Sequence, residues 1–544
     1  MAQELDPHRL PAVLIAAKER SHGRGLGRAW CLAAVALGLT LVSAASAQAQ
    51  GILDSQARAM IRTRDLKKTK VSILVVDVTS GETLVSIRPD EKMIPASNMK
   101  LITTAGALDL LGPSFTFQTE LRLMPRQDAG PPRQSSAGHV VLIVGDGDPA
   151  LGDPKLLSRQ ELDIEQMLEK WVDALINAGV TEVERLVVDD RVFDRQWVHP
   201  DWPIDQLNRW YCAEVGGINL HENCLYVYPR PTTRGHSPAL TFSPTNQYIV
   251  AQARNKATTD KTDTFWISRN HNTNNLTYWG KVRSRRTSPI RVTVHDPPMY
   301  LVQLLKERLE ARGIAVQRAE KAGADERFPA GKTLVRWLNP LADVLARCNK
   351  DSQNLFAEAL IKRMGYDVTG AQGSWGTGAH ALRVFLGDRL GPDSAIVHIS
   401  DGSGLSRKNQ VTARVLVELL QVMIKDQPLG SIYLQSLAVG GIDGTLKKRF
   451  SRSLVGTVHG KSGYINGVST LSGYLVYGGE PRPQRKANTT TRLHGYERVI
   501  AFSFLFNNIV APIYVHNVKK FQNELIEIID RQNVKQLESV RLEG

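Results

Sequence analysis

The stretch Met99-Lys-Leu-Ile-Thr-Thr-Ala-Gly-Ala-Leu-Asp-Leu-Leu111 constrains the fold more than any other part of this chain. Its spacing predicts a helix with Met99, Leu101, Ile102, Ala105, Ala107, Leu108, Leu110 and Leu111 spread over nearly every face. A helix apolar all round has no solvent side, so other elements must cover it on every side. Gly112-Pro113 ends it. The preceding residues, VSILVVDVTSGETLVSIRPD (71–90), read as two strands around a Ser-Gly turn. From residue 340 the pattern is helical, in PLADVLARCNKDSQNLFAEALIKRMG, SWGTGAHALRVFLGDRLG and TARVLVELLQVMIKD. Strand patterns then return in TVHGKSGYI, STLSGYLVYG and ERVIAFSFLFNN, and an amphipathic helix closes the chain over about 514–532.

Between these ends lies a long middle region. It mixes strand-like runs (HVVLIVGDG, ERLVVDDRVF, NCLYVYPRP) with polar loops and one amphipathic helix, PPMYLVQLLKERLEARGI (297–314). The expected architecture is α+β, an antiparallel sheet with helices on both faces. Residues 50–117 plus 340–544 form that domain, and residues 118–339 form a β-rich insert of two nested subdomains. A chain of 544 residues is too long for a single core.

The first 49 residues follow a different logic. Arg24 and Arg28 precede an apolar run from Ala29 to Val42, followed by small residues with A-x-A sites ending at Ala47 and Ala49. That order is a secretory signal, residues 1–47, with cleavage after Ala47 or Ala49. It places the protein in the periplasm or cell-wall space. The removed stretch carries five Lys/Arg and three Asp/Glu, so a formal charge of +14 becomes +12. A basic exported protein is drawn to acidic matrices, with at most peripheral membrane association. No Lys/Arg cluster is dense enough to select nucleic acid. Three of the four cysteines remain, and export makes a Cys212–Cys224 disulfide plausible. Cys348, in a helical apolar pattern, reads as a buried inert thiol.

Chemistry enters at the head of the apolar helix. Ser97 and Lys100 form S-x-x-K, which sets both side chains on one helical face, a turn apart. A serine hydroxyl needs a base within hydrogen-bond reach, and a lysine serves once burial lowers its pKa. Alone, the spacing fits equally well a helix-start serine beside a snorkelling lysine. Two further segments shift the balance. Ser352-Gln353-Asn354 opens a later helix, and Lys461-Ser462-Gly463 sits in a strand pattern. Ser268-Arg269-Asn270 is a rival S-x-N, but it lies in an exposed strand-like run. The order S-x-x-K, S-x-N, K-[ST]-G is the signature of penicillin-interacting serine enzymes.

With these motifs, the chain resembles the D-alanyl-D-alanine carboxypeptidase/endopeptidase family, the low-molecular-mass class C penicillin-binding proteins (peptidase family S13). The resemblance spans nearly the whole mature chain. It includes VGDGDPALG (144–152), VVDDRVFD (187–194), NLHENCLYVYPRP (219–231), SDGSGLSRKNQVTA (400–413) and GGIDGTLKKR (440–449). Ser97 and Ser352 are 255 residues apart, and a large insert at that place is a mark of the family.

The resemblance implies a penicillin-binding, serine β-lactamase-like domain. Its substrates are peptidoglycan stem peptides and its inhibitors β-lactam antibiotics, and it needs no cofactor and no metal. It implies that Ser97 is the nucleophile and Lys100 its base. Ser352 relays a proton in a network with Lys461, and Asn354 binds the substrate amide or holds Lys100. Lys461 and Ser462 grip the terminal carboxylate, Gly463 lets the strand approach the substrate, and the N–H groups of Ser97 and Tyr464 form the oxyanion hole. Asp189, or Asp190 by register, lies near the amino end of the stem-peptide side chain. K-S-G replaces the commoner K-T-G, and Tyr464 is a bulky follower.

Other candidates have plainer readings. GDGDPALG is turn chemistry, lacking the helix of a dinucleotide loop and the rest of a calcium loop. Asp401-Gly-Ser-Gly404 is a tight turn near the cleft. His459 shares the face of Lys461 but has no task in this scheme. Two other functions fit the same motifs: a serine β-lactamase, separated by rapid nitrocefin turnover, and a non-catalytic wall-binding protein, separated by a silent Ser97→Ala substitution.

Overall fold

In this computed structural model, residues 51–64, 66, 68–125, 138–254, 258–450, 452–478, 495–511 and 514–543 are described. The signal segment and its cleavage sites lie outside them. No helix among the described residues is long and apolar enough to cross a membrane.

A six-stranded sheet carries the site. Its order is Ala438–Val439, Val458–Ile465, Val468–Tyr477, Arg498–Asn507, Lys70–Asp77 and Thr83–Ile87. Every neighbouring pair is antiparallel. The central strand Arg498–Asn507 is apolar at both parities because it is covered on both faces. Val499, Ala501 and Leu505 join one core, whereas Ile500, Phe502, Phe504 and Phe506 join another. The second core is closed by Val518, Phe521, Leu525, Ile526 and Ile529 of the last helix, Val515–Glu543.

The first core holds the apolar helix, Met99–Leu110, in which every residue from Met99 to Leu108 is buried. Around it pack helices Leu341–Lys350, Asn354–Thr369, Trp375–Leu390, Ala413–Lys425 and Leu429–Ser436. Its all-round apolar surface is thus explained by neighbours on every side.

The middle of the chain builds a five-stranded mixed sheet, ordered Ala315–Lys321, Glu182–Asp189, His139–Gly145, Thr116–Leu123 and Lys332–Pro340. Thr116–Leu123 and Lys332–Pro340 pair antiparallel, so the chain leaves and returns along adjacent strands. Smaller sheets lie between residues 224 and 293. The helix expected from residue 297 spans Pro297–Ala311, and Gly313 turns at φ +79°. A second helix, Ile164–Asn177, packs with it against this sheet. It begins at a reciprocal cap between Asp163 and Gln166, a local signal that the surrounding strand-like runs concealed.

The disulfide expectation is corrected here. Cys212 and Cys224 are free thiols, both fully buried. Cys212 packs into the helical core, while Cys224 opens the strand Cys224–Arg230, so each thiol is enclosed by its own surroundings. Cys348 is free and buried, and desolvation pushes its thiol up to about 12.

Candidate active site

Ser97 sits in a single 3-10 turn, Ala96–Asn98, that feeds directly into the buried helix. Ala96 adopts φ +45°, a left-handed geometry that costs a non-glycine residue energy and turns the serine towards a cleft. Asn98 fastens this turn to the sheet. Its carboxamide accepts from Ser472 Oγ at 2.6 Å and donates to the Lys461 carbonyl at 2.9 Å.

Lys100 is fully buried, with Nζ lying 3.3 Å from Ser97 Oγ, 2.7 Å from Asn354 Oδ1 and 3.0 Å from the Ser403 carbonyl. Those last two groups only accept. A neutral amine has two N–H groups and one lone pair, so the pair of acceptors uses both donors and leaves the lone pair for the Ser97 hydroxyl. Desolvation pushes the Lys100 pKa down, against the nearby Glu358 and Asp401 carboxylates, which act to raise it. The balance favours the neutral amine more than in water.

The second motif stands at a helix break. Ser352 has φ +57° and lies between helices Leu341–Lys350 and Asn354–Thr369. Gln353 anchors the break by donating to Glu222 Oε1 at 2.5 Å. Asn354 Nδ2 donates to the Tyr211 carbonyl at 2.8 Å, which fixes Oδ1 towards Lys100.

Lys461 arrives from the strand Val458–Ile465. It too is fully buried, donating to Ser352 Oγ at 2.9 Å and to the Ser462 carbonyl at 2.8 Å. Desolvation and then the Lys100 charge hold it well below the usual lysine range. The three segments therefore converge on one place, with a lysine behind each serine.

Ser97, Ser352, Asn354, Ser462, Gly463 and Tyr464 all line one cleft of about 1060 Å³; the two lysines lie behind its wall. Gly463 is required by contact. A Cβ there would sit 2.1 Å from Thr470 Oγ1 and 2.9 Å from the Ser97 nitrogen. The strand at this point therefore runs alongside the nucleophile's N–H. The short strand Ala438–Val439 pairs only with His459 and Gly460. Among the described residues, Lys461–Ile465 is consequently hydrogen-bonded on one side only, by Val468–Ser472, and presents an edge of the kind extended peptides add to.

Asp189 is the expectation the geometry does not meet. Its carboxylate is held by Arg191, at 2.8 Å from Nε and 2.7 Å from Nη2, and it does not line the cleft. Asp190 is likewise paired, with Arg195 at 2.8 Å. Arginines a few residues along the chain satisfy both acids locally. The carboxylate that does line the cleft is Asp201, which takes Lys408 at 2.6 Å.

Sequence reasoning read Ser403 only as part of a tight turn near the cleft, whereas its carbonyl meets Lys100, and it passed over Glu358. This buried acid accepts from the Gly402 and Ser403 N–H groups at 2.9 Å each and from Trp375 Nε1 at 2.8 Å. Burial, with Asp401 nearby, lifts its pKa to about 7. One turn beyond Asn354, it shares a helix face with Lys362, one turn further and also fully buried, and those two charges in an apolar pattern were the signal available in the sequence. Thr445, Arg407 and Arg449 line the cleft without having been singled out.

Asp148 accepts from the Ala150 N–H at 2.8 Å, a local turn bond of the kind anticipated, whereas Asp146 accepts from the Gln118 N–H at 2.9 Å, across 28 residues. His459 is largely buried and outside the cleft lining.

A serine with a desolvated lysine as proton acceptor, a second Ser–Lys pair opposite and a strand edge define a serine acyl-transfer hydrolase of the penicillin-interacting type. The comparisons with known proteins agree. The model of the D-Ala-D-Ala carboxypeptidase 3 (S13) family matches residues 53–529, and the chain belongs to that family of serine peptidases. A D-alanyl-D-alanine carboxypeptidase of Actinomadura sp. (strain R39) is 30% identical over 488 residues, covering 84% of this chain and 86% of the relative. D-alanyl-D-alanine carboxypeptidase DacB of Haemophilus influenzae is 23% identical, covering 75% of this chain and 82% of its own length. The crystal structure of penicillin binding protein 4 (dacB) from Haemophilus influenzae superposes with a TM-score of 0.67 at 20% identity, covering 85% of this chain and 98% of that one. The fold is therefore that of this penicillin-binding group.

Proposed function

We propose that this protein is an exported serine D-Ala-D-Ala carboxypeptidase and/or D,D-endopeptidase, acting on peptidoglycan stem peptides and blocked covalently by penicillins. The observation that carries the reading is Lys100 Nζ at 3.3 Å from Ser97 Oγ, with Lys461 Nζ at 2.9 Å from Ser352 Oγ in the same site.

In this reading the substrate lies along the edge of Lys461–Ile465 with its penultimate D-alanine carbonyl at Ser97. The Ser97 oxygen bonds to that carbonyl carbon as its proton passes to Lys100. The N–H groups of Ser97 and Tyr464 receive the developing oxyanion, and one such donor is worth about 3–4 kcal/mol. The C–N bond then breaks, with a proton delivered to the leaving amine through Ser352 and Lys461. Water next attacks the ester, releasing the shortened peptide and returning the proton to Ser97. Asn354 serves by holding Lys100. The division of the chain at residues 117 and 340 belongs to the same proposal, with the inserted segment contributing Tyr211 and Asp201 to the cleft. So does export by way of residues 1–47.

The test is D-alanine release from a synthetic peptide ending in D-Ala-D-Ala, alongside fragment release from purified sacculi. The expected result is release by the parent protein and none above background with Ser97→Ala. Equal behaviour of the two proteins would contradict the reading.

A further inference from the structure

A peptide ending in D-alanine brings a carboxylate on the carbon that bears the leaving nitrogen. Enclosing that charge without a partner is costly. Lys461 supplies only part of the answer. Its Nζ lies behind the cleft wall and donates to Ser352 Oγ and the Ser462 carbonyl, leaving one N–H of its charged form. Proton relay also requires that it give up its charge.

The wall beside Ser462 offers something better. Ser462 Oγ lies 2.9 Å from Thr445 Oγ1, and both residues line the cleft with Arg449, Tyr464 and Lys519. Arg449 is held entirely by neutral acceptors. Nε and Nη2 donate to Asn523 Oδ1 at 3.0 and 2.6 Å, and Nη2 also reaches Gln522 Oε1 at 3.1 Å and the Lys519 carbonyl at 3.4 Å. Among the described residues no carboxylate pairs with it, and Nη1 has no partner. Burial pushes its pKa down to about 10 with no acid opposing the shift, so it still carries its charge at neutral pH. Lys519 adds a second cation, with Nζ 5.4 Å from the centre of the Tyr464 ring. Two carboxamides thus fix a guanidinium in position and leave both its charge and an N–H edge unspent, which suits it to receive an anion.

We propose that Arg449, assisted by Lys519, supplies the counter-charge for the carboxylate next to the scissile nitrogen, with the Ser462 and Thr445 hydroxyls completing the subsite. The inference rests on the D-Ala-D-Ala reading above and deepens it. It makes the protein selective for a free carboxylate over its amide at that position, in terminal and cross-linked substrates alike.

The experiment measures kcat/KM of the full chain on a peptide ending in D-Ala-D-Ala and on the same peptide as its C-terminal amide, for the parent, Arg449→Gln and Arg449→Lys. Loss of one charge-assisted contact predicts a drop of about 10- to 100-fold for Arg449→Gln on the acid, and less than about 2-fold on the amide. Arg449→Lys recovers part of the loss. Equal losses on the two peptides, or no loss on the acid, would overturn the proposal. If Arg449→Gln lacks a cooperative melt, the parent's own preference decides, and equal rates on acid and amide overturn it. A parent that hydrolyses neither peptide removes the underlying reading instead, and this inference with it.

Discussion

Lys100 shows how a single residue is made reactive by its surroundings. In water its amine is charged and useless as a base at neutral pH. Here it is buried and faces Asn354 Oδ1, the Ser403 carbonyl and Ser97 Oγ, so that loss of one proton leaves every contact satisfied. The sign of the pH effect follows. The folded-state pKa is lowered, so the neutral form accumulates as pH rises through a value below the ordinary 10.5. Acylation by benzylpenicillin, followed by stopped flow, is expected to climb with pH and level off before that value. Lys100→Arg keeps the charge at all accessible pH, and loss of the general base predicts a fall of about 10²- to 10⁴-fold with the rising limb abolished. A pH profile unchanged in Lys100→Arg would contradict the assignment.

At the scale of elements, the site depends on how closely the edge strand approaches the nucleophile turn. Gly463→Ala would place a methyl 2.1 Å from Thr470 Oγ1, itself held by the Pro95 carbonyl at 2.9 Å, and 2.9 Å from the Ser97 nitrogen. The strand must then move away. The expected outcome is a loss of acylation rate of about 100-fold for a displacement near 1 Å, with a stability cost of only about 1–3 kcal/mol by chemical denaturation.

These elements were legible to different degrees. The buried helix, the strand run ERVIAFSFLFNN and the three motifs were read from hydrophobic period and residue order, because local pattern determines them. The helix Ile164–Asn177 was not, although its Asp163–Gln166 cap was present, because strand-like runs on either side set the reading. Ser352 at φ +57° shows no sequence trace, since its geometry is imposed by Gln353 reaching Glu222 across 131 residues. Asp189 shows the converse: an arginine two residues away satisfies it locally, and it does not line the cleft.

For the molecule as a whole, the task is to hold together segments far apart in the chain. Asn354 and Lys100 meet across 254 residues, and Lys461 and Ser352 across 109. A buried ionic cluster ties the middle of the chain to the second motif. Arg347 donates to Asp153 at 2.8 Å, to Glu222 at 2.6 Å and to Asp351 at 2.5 Å, directly before Ser352. Removing one partner from such a cluster strands the others, so it makes the geometry around Ser352 all-or-none. In the proposed reaction this scaffold presents one acylable hydroxyl. Mass spectrometry of the protein after benzylpenicillin tests it most directly. A single covalent adduct is expected on the tryptic peptide of residues 93–100, absent in Ser97→Ala; no adduct, or one on any other peptide, would contradict the role given to Ser97.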